Sequence, residues 1–216
     1  MNVLVTAGPT REAIDRVRYI TNASSGRMGI AFIRAALERC DEVFLVHGPL
    51  RVDVPTGVPA ASVDTTAEML QVVQSRIDWA DALVMAAAPC DYRPAFPYPG
   101  KIAKEESSLR LELERTPDIL QALKARKGNR VFLGFALEVE GGEERALRKL
   151  RRKGLDLICL NAPENFGSEL ANATLLSPQG VVERFEGIAK LDLARRVLSR
   201  IATRCAELAT GTTSVE

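Results

Sequence analysis

The stretch Tyr19-Ile20-Thr21-Asn22-Ala23-Ser24-Ser25-Gly26-Arg27-Met28-Gly29 is where residue type and spacing best suit chemistry. An amide, two hydroxyls and two glycines stand where a helix is about to begin, with Arg18 just before them. The amino end of a helix offers unpaired backbone N–H groups and the positive end of a dipole, so it suits an anion, a phosphate above all. Ser24, Ser25 and Gly26 would stand at that anion site, with Asn22 and Arg18 beside them. A serine alone at such a place is more often a helix cap than a ligand group. It is the company of Asn22 and Arg18 that favours a ligand.

Stepping from these residues to their supports, short apolar runs alternate with helical patterns along the chain. That alternation predicts an α/β protein, a Rossmann-like three-layer fold around a mainly parallel sheet. Strands are expected at residues 3–6, 42–46, 58–63, 83–88, 131–133 and 155–160, the fourth apolar throughout as a central parallel strand should be. Helices are expected at 27–38, 66–77, 117–127, 143–153 and 188–208, the third with Thr116 as N-cap and Pro117 in its first position. Pro94, Pro97, Pro99 and Gly100 break any regular element after the fourth strand and predict a long exposed flap, followed by an edge strand at 109–113. A small hairpin is expected around Pro178-Gln179-Gly180, and a disordered tail over residues 210–216. One domain, residues 1–209, accounts for the rest.

Ligands of open parallel sheets sit beyond the carboxyl ends of the strands. There the sequence supplies Gly8, Arg18, Asn22 and the serines, then Asp91 with Lys101 and Lys104, then Phe135 and Glu138, then Asn161. Phosphate donors, a carboxylate, lysines and an amide suit a nucleoside triphosphate with bound Mg²⁺. Other nucleotide fingerprints are missing. There is no G-x-x-x-x-G-K-[ST]. The second strand ends Leu45-Val46-His47-Gly48-Pro49, without the carboxylate a dinucleotide ribose wants. Tyr19, Tyr92 and Tyr98 have no lysine four residues on. A nucleotide- or dinucleotide-binding regulatory or redox module on the same fold stands as the alternative.

Composition narrows the class further. The 216 residues carry 29 lysines and arginines against 28 aspartates and glutamates, so no global charge favours nucleic acid or a membrane surface. Cys40, Cys90, Cys159 and Cys205 are scattered, which predicts neither zinc nor disulfides and a reduced, cytoplasmic protein. Cys90 and Cys159 read as packing residues, and His47, the sole histidine, as structural. Lys101 taken alone reads as a solvated surface lysine, and Lys149 with Lys153 is divided between a solvated helix face and a site.

A resemblance can now be named. Thr6-Ala7-Gly8-Pro9-Thr10-Arg11-Glu12 followed by residues 17–26 resembles the opening of bacterial phosphopantothenoylcysteine synthetase. The likeness continues through Ala87-Ala88-Pro89-Cys90-Asp91-Tyr92-Arg93-Pro94, Lys101-Ile102-Ala103-Lys104, Thr116-Pro117-Asp118-Ile119 and Gly134-Phe135-Ala136-Leu137-Glu138. It extends to residues 153–161 and to Asn165-Phe166-Gly167-Ser168, in order and with similar spacing.

The resemblance implies a CTP-dependent ligase joining 4′-phosphopantothenate to L-cysteine through an acyl-cytidylate, in coenzyme A biosynthesis. By it, Asn22 would hold the acyl-cytidylate and assist cysteine through its amide N–H, and Arg18 would bind the anionic substrate or intermediate. Asp91 and Lys101 match positions that contact CTP, Lys101 on a closing flap. Pro117, Asp118, Ile119, Leu120, Phe135, Lys149 and Lys153 match further CTP contacts, with Ala86 and Ala87 as backbone contacts and Asn161 beside the substrate. Mg²⁺ would ride on the triphosphate with few protein ligands, so no metal-ligand set is assigned. The resemblance also implies a homodimer and no flavin, the flavin-dependent decarboxylase that acts next being either a separate protein or the other half of a longer chain of which this is an excised domain. Ala103 departs from the family's usual lysine, His47 from serine, Arg27 from lysine, and Leu137-Glu138-Val139 from Ala-Glu-Thr.

Overall fold

The structure is a computed structural model that describes residues 1–104, 108–137, 142–162 and 168–210. Glu138 and Val139, residues 165–167 and residues 211–216 of the expected tail lie outside the described residues.

Eight strands form the central sheet: β1 (Asn2–Ala7), β4 (Glu42–His47), β5 (Ala60–Ser62), β6 (Ala82–Met85), β9 (Val131–Leu137), β10 (Leu157–Asn161), β11 (Leu170–Ser177) and β12 (Gly180–Ala189). Two short ribbons lie outside it, β2 (Arg11–Ala13) with β3 (Tyr19–Thr21), and β7 (Tyr92–Pro94) with β8 (Leu113–Arg115). The helices are α1 (Arg27–Glu38), α2 (Thr66–Arg76), α3 (Ile119–Leu123), α4 (Gly142–Lys153) and α5 (Lys190–Thr210). None of them is long and apolar enough to cross a membrane.

The sheet order is β12-β11-β10-β9-β6-β1-β4-β5. Six strands, β5-β4-β1-β6-β9-β10, run parallel, and β11 and β12 add an antiparallel edge. Numbered along the chain, the parallel six stand 3-2-1-4-5-6, so strand order reverses between β1 and β6 and a crevice opens at their carboxyl ends. Both faces are covered, as the apolar run of β1 requires. Val3, Val5 and Ala7 pack toward α1 and α5, through Phe32, Ile33, Leu193 and Val197. Leu4 and Phe132 face α2, α3 and α4, through Met69, Leu123, Ala146 and Leu150. Gly29 brings α1 against β1, since a Cβ there would lie 2.4 Å from the Ala7 Cβ.

Several expected boundaries move. The fourth strand stops at Met85, because Ala88 leaves the sheet to donate to Gly8 O at 2.9 Å. Thr116 is not a helix cap: its hydroxyl donates to Cys90 O at 2.5 Å, and Asp118 caps α3 by accepting from Gln121 N at 3.2 Å. The helix then lasts only to Leu123, with a 3-10 turn over Lys124–Arg126. The edge strand expected at 109–113 is β8, three residues paired with β7 rather than with the main sheet. The small hairpin is a pair of long strands, 8 and 10 residues, that widens the sheet. The last helix starts at Lys190 because Ile188 and Ala189 still pair in β12.

Candidate active site

A cleft of about 840 Å³ runs across the carboxyl ends of β1, β6, β9 and β10, at the reversal of strand order. Its floor is the segment after β6. Thr6 Oγ1 accepts from Ala87 N at 3.1 Å, which fixes the backbone of Ala86 and Ala87 against β1. Cys90 is buried behind this segment, its N–H on Thr10 Oγ1 at 2.9 Å and its carbonyl receiving the Thr116 and Thr66 hydroxyls. Three threonines thus pin the loop that carries Asp91, which lines the cleft.

Asn22 crosses this floor. Its Nδ2 donates to Ala88 O at 3.1 Å and to Pro89 O at 2.9 Å. Both amide hydrogens are therefore committed to backbone. Oδ1 is the atom left for a ligand, and it has no partner among the described residues. The resemblance implies assistance through the amide N–H, and in this structure those hydrogens are held by the two carbonyls.

Ser24, Ser25 and Gly26 follow along the wall and lead into α1. Gly26 is the N-cap, at φ 80°, and no side chain caps the helix. The serine hydroxyls reach only Gly26 N at 3.4 Å and Arg27 N at 3.5 Å, long for hydrogen bonds. By contrast, α2 has a complete capping box from Thr65 and Glu68. The serines are therefore not serving as a strong cap, and the first turn of α1 keeps its N–H groups toward the cleft.

On the opposite side, α3 and α4 supply the second wall. Pro117, Asp118, Ile119 and Leu120 line it with Phe135 of β9 and Asn161 of β10. Lys149 and Lys153 reach in from α4 and are not a solvated face. Lys149 Nζ donates to Phe135 O at 2.9 Å, and Lys153 Nζ to Asp118 Oδ1 at 2.9 Å. Burial pushes the Asp118 carboxyl up, but Lys153, the Gln121 N–H and Arg152 together outweigh it and hold it below the ordinary carboxylate value. Phe135 meets Phe32 edge to face at 5.9 Å, so its ring is both core and cleft wall.

Among the described lining residues, six cations (Arg27, Arg115, Lys149, Arg152, Lys153, Lys190) face two carboxylates, Asp91 and Asp118. A chain of net charge +1 concentrates positive charge here, which suits a polyanion. The sequence does not single out Arg115, Arg152 or Lys190, and offers Arg27 only as a departure from a more usual lysine. Arg152 stands in the Arg151-Arg152-Lys153 run, whereas Lys190 is an ordinary lysine until the fold buries it. No group of three histidines, cysteines or carboxylates able to hold a metal occurs among the described residues.

Arg18 and Lys101 lie together but outside the cleft lining. Arg18 Nη2 donates to Ile102 O at 2.9 Å, while Arg16 N and Tyr98 N donate to Gly100 O and Ile14 O at 3.0 and 2.9 Å. Asp15 closes the clip. One of its oxygens accepts from Val17 N and Arg18 N at 2.8 and 2.7 Å, and the other from Ile102 N at 3.1 Å. The start of the flap is thus fastened to the Arg18 turn. His47 is not in the cleft, and its Nδ1 sits 2.8 Å from Gly48 O.

Comparison with known proteins agrees with this fold. The coenzyme A biosynthesis bifunctional protein CoaBC of Bacillus subtilis (strain 168) is 37% identical over 206 residues, covering 93% of this chain and 51% of that protein. The Vibrio vulnificus (strain YJ016) CoaBC is 39% identical over 209 residues, 94% of this chain and 52% of the relative. The chain therefore spans about half the length of these curated relatives. The crystal structure of the C-terminal domain of a CoaBC superimposes with a TM-score of 0.82 at 34% identity, covering 95% of this chain and 96% of that one. Residues 1–205 match the family described as the DNA/pantothenate metabolism flavoprotein C-terminal domain, and the chain belongs to that family.

Proposed function

We propose that this chain is a phosphopantothenate–cysteine ligase of coenzyme A biosynthesis, using CTP in two steps. The substrate carboxylate attacks the α-phosphate of CTP, forming an acyl-cytidylate as pyrophosphate leaves. The amine of cysteine then attacks the acyl carbon, the amide bond forms, and CMP leaves with the electron pair of the broken bond. The observation that carries the reading is Asn22, which lines a cationic cleft and is anchored there through Nδ2 to Ala88 O and Pro89 O.

The chain's own residues divide the work by position. The α3–α4 wall, with Phe135, Asp118, Lys149 and Lys153, would hold the nucleoside, and the Ala86–Ala87 backbone would meet the base. The open first turn of α1 and the cleft cations would balance charge that develops on phosphate oxygens, the largest single means of lowering such barriers. Asn22 Oδ1 would accept an N–H of the cysteine amine and aim its lone pair at the acyl carbon. Mg²⁺, bound to triphosphate oxygens, would add charge neutralisation; among the described residues the cleft carries two carboxylates, one already paired, which suits a metal that arrives on the nucleotide. Arg18 and Lys101, clipped together beside the cleft, would take the acid substrate's charge.

A homodimer is part of the proposal. Val17, Tyr19, Tyr92, Phe96, Tyr98 and Leu113 are exposed on and around the two ribbons, an apolar surface suited to a second copy. The reading places the activity in the cytoplasm, with free thiols.

The strand order is shared with dinucleotide-binding folds, which keeps the alternative open to test, but β4 ends in His47 with no carboxylate for a ribose. Protein, 4′-phosphopantothenate, CTP and Mg²⁺ should release pyrophosphate once per site, and added cysteine should start turnover. No pyrophosphate under these conditions refutes the ligase. Binding of NAD(P)H but not CTP by calorimetry would replace it with the redox module, and ATP run beside CTP reads the nucleotide preference.

A further inference from the structure

Thr10 stands between β1 and β2, fully buried and outside the cleft lining, yet it touches both the floor and the segment that crosses it. Asn22 is held by the carbonyls of Ala88 and Pro89, so its place depends on where residues 88–89 lie and on where β3 delivers residue 22. Both are referred to Thr10. Cys90, next to Pro89, donates its N–H to Thr10 Oγ1 at 2.9 Å. Thr21, next to Asn22, donates its hydroxyl to Thr10 O at 2.7 Å. The Cys90 thiol lies between the two segments, 3.6 Å from both Thr10 O and Ile20 O.

Counting hydrogens turns these contacts into a closed ring. A threonine hydroxyl has one hydrogen to give. That of Thr66 goes to Cys90 O at 3.3 Å, so Thr10 is the donor in the 2.9 Å contact between the Thr10 and Thr66 hydroxyls. The path from Cys90 N–H to Thr10, on to Thr66 and back to Cys90 O therefore begins and ends on one residue. Thr116 adds a second hydrogen to the same carbonyl at 2.5 Å. Glu12 braces the ring from outside, accepting from Thr66 N at the start of α2 at 2.9 Å. Thr10, Glu12, Thr66 and Cys90 are each at most 4% exposed. Bonds of this kind replace bonds to water and add little net stability, and a valine would fill the place of Thr10 with no polar group to desolvate. What they add is fixed geometry: in a dry ring each bond polarises the next, and no group can turn without leaving another unpaired.

We propose that Thr10 is the positioning residue for Asn22. Its hydroxyl sets the segment whose carbonyls grip the Asn22 amide, and its carbonyl sets the strand that delivers Asn22 to them. Thr10 itself meets no reactant. The inference rests on the ligase reading for the step that Asn22 serves, whereas the bracing stands on the contacts alone.

The test compares wild type, Thr10→Val, Thr10→Ser and Ile201→Val by rapid-quench assay with CTP, 4′-phosphopantothenate, cysteine and Mg²⁺, and by the NMR signals of the Asn22 side-chain amide, identified by their loss in Asn22→Asp. Valine keeps the shape and removes the hydroxyl, and serine keeps the hydroxyl. Ile201 is buried in α5 beside Ala202, at the opposite end of the sheet, and its variant lowers stability without touching the ring. Thr10→Val should slow amide formation about tenfold, leave the pyrophosphate burst within about threefold of wild type, and move the Asn22 amide signals toward those of a free side chain. Thr10→Ser should restore all three, and Ile201→Val should change none. In an Asn22→Ala background Thr10→Val should cost the amide step nothing further, because it acts through Asn22. Thr21 is exposed, so Thr21→Val, which cuts the link to Thr10 O, takes the same expectations if valine at 10 disturbs folding. Unchanged amide formation, unchanged Asn22 signals, equal losses in both half-reactions or additive losses in the double variant each overturn the proposal. A wild type that makes no amide rejects the ligase, and the Asn22 signals then decide the bracing alone: a shift in Thr10→Val but not in Ile201→Val keeps it, and no shift overturns it.

Discussion

Replacing Asn22 by aspartate separates the two half-reactions. The native amide donates through Nδ2 to Ala88 O at 3.1 Å and Pro89 O at 2.9 Å. Aspartate supplies no hydrogens, so both bonds vanish and a charged oxygen faces two carbonyls. Each neutral bond is worth about 1 kcal/mol net, so the anchored position is lost at a cost of about 2 kcal/mol. A side chain that must reach that position only in the transition state of amide formation then slows this step by about 30-fold. The first half-reaction depends on the cations and on the α1 terminus, none of which Asn22 touches. Rapid-quench assays with labelled CTP should show a pyrophosphate burst within about threefold of wild type, and acyl-nucleotide accumulating while amide appears slowly. The same loss in the unliganded protein should lower the thermal midpoint by about 4–8 °C. Equal losses in both half-reactions, or undiminished amide formation, would refute the role given to Asn22.

Gly26→Ala places a Cβ at φ 80° and 2.2 Å from Leu50 Cδ2. The left-handed backbone and the overlap together cost about 2 kcal/mol, so calorimetry should show the melting midpoint about 4–8 °C lower, and no change would deny that this turn is constrained. Burial pushes the Cys159 thiol up to about 12, while Cys40 is exposed. Iodoacetamide at about pH 8 should therefore label Cys40 and spare Cys159 until the protein unfolds, as read by peptide mass spectrometry. Burial pushes the Asp15 carboxyl up, but the Val17, Arg18 and Ile102 N–H groups and the Arg18 charge outweigh it and leave it below the ordinary value. Its clip on the flap is then complete above the ordinary carboxylate range and released only as pH falls through the lower folded value. Asp15→Asn puts an N–H where Ile102 needs an acceptor, so trypsin should cut at Lys101 and Lys104 several-fold faster than in wild type; equal rates would show that Asp15 does not hold the flap.

The sequence by itself determined the mainly parallel sheet, because strands buried on both faces, such as 3–5, 83–85 and 131–133, must be apolar throughout. It also pointed to the Asn22–Gly26 turn and to Asp91, Phe135 and Asn161 as neighbours, and they do line one cleft, since residues that follow strands in this fold gather at one edge. Other features depend on partners far along the chain, and local pattern could not supply them. Thr116 looked like a cap, but a carbonyl 26 residues away claimed its hydroxyl. Lys149 and Lys153 looked evenly divided between solvent and site until Phe135 O and Asp118 stood opposite them. Asn22 stood out in the sequence as an amide beside a helix start, but that its Nδ2 is held by the carbonyls of Ala88 and Pro89 came only from the fold. Lys190 carried no signal at all. Its burial exists only because β11, β12 and α5 fold it against the edge of the cleft, and electrostatics in a closed space is a property of that arrangement, not of the residue.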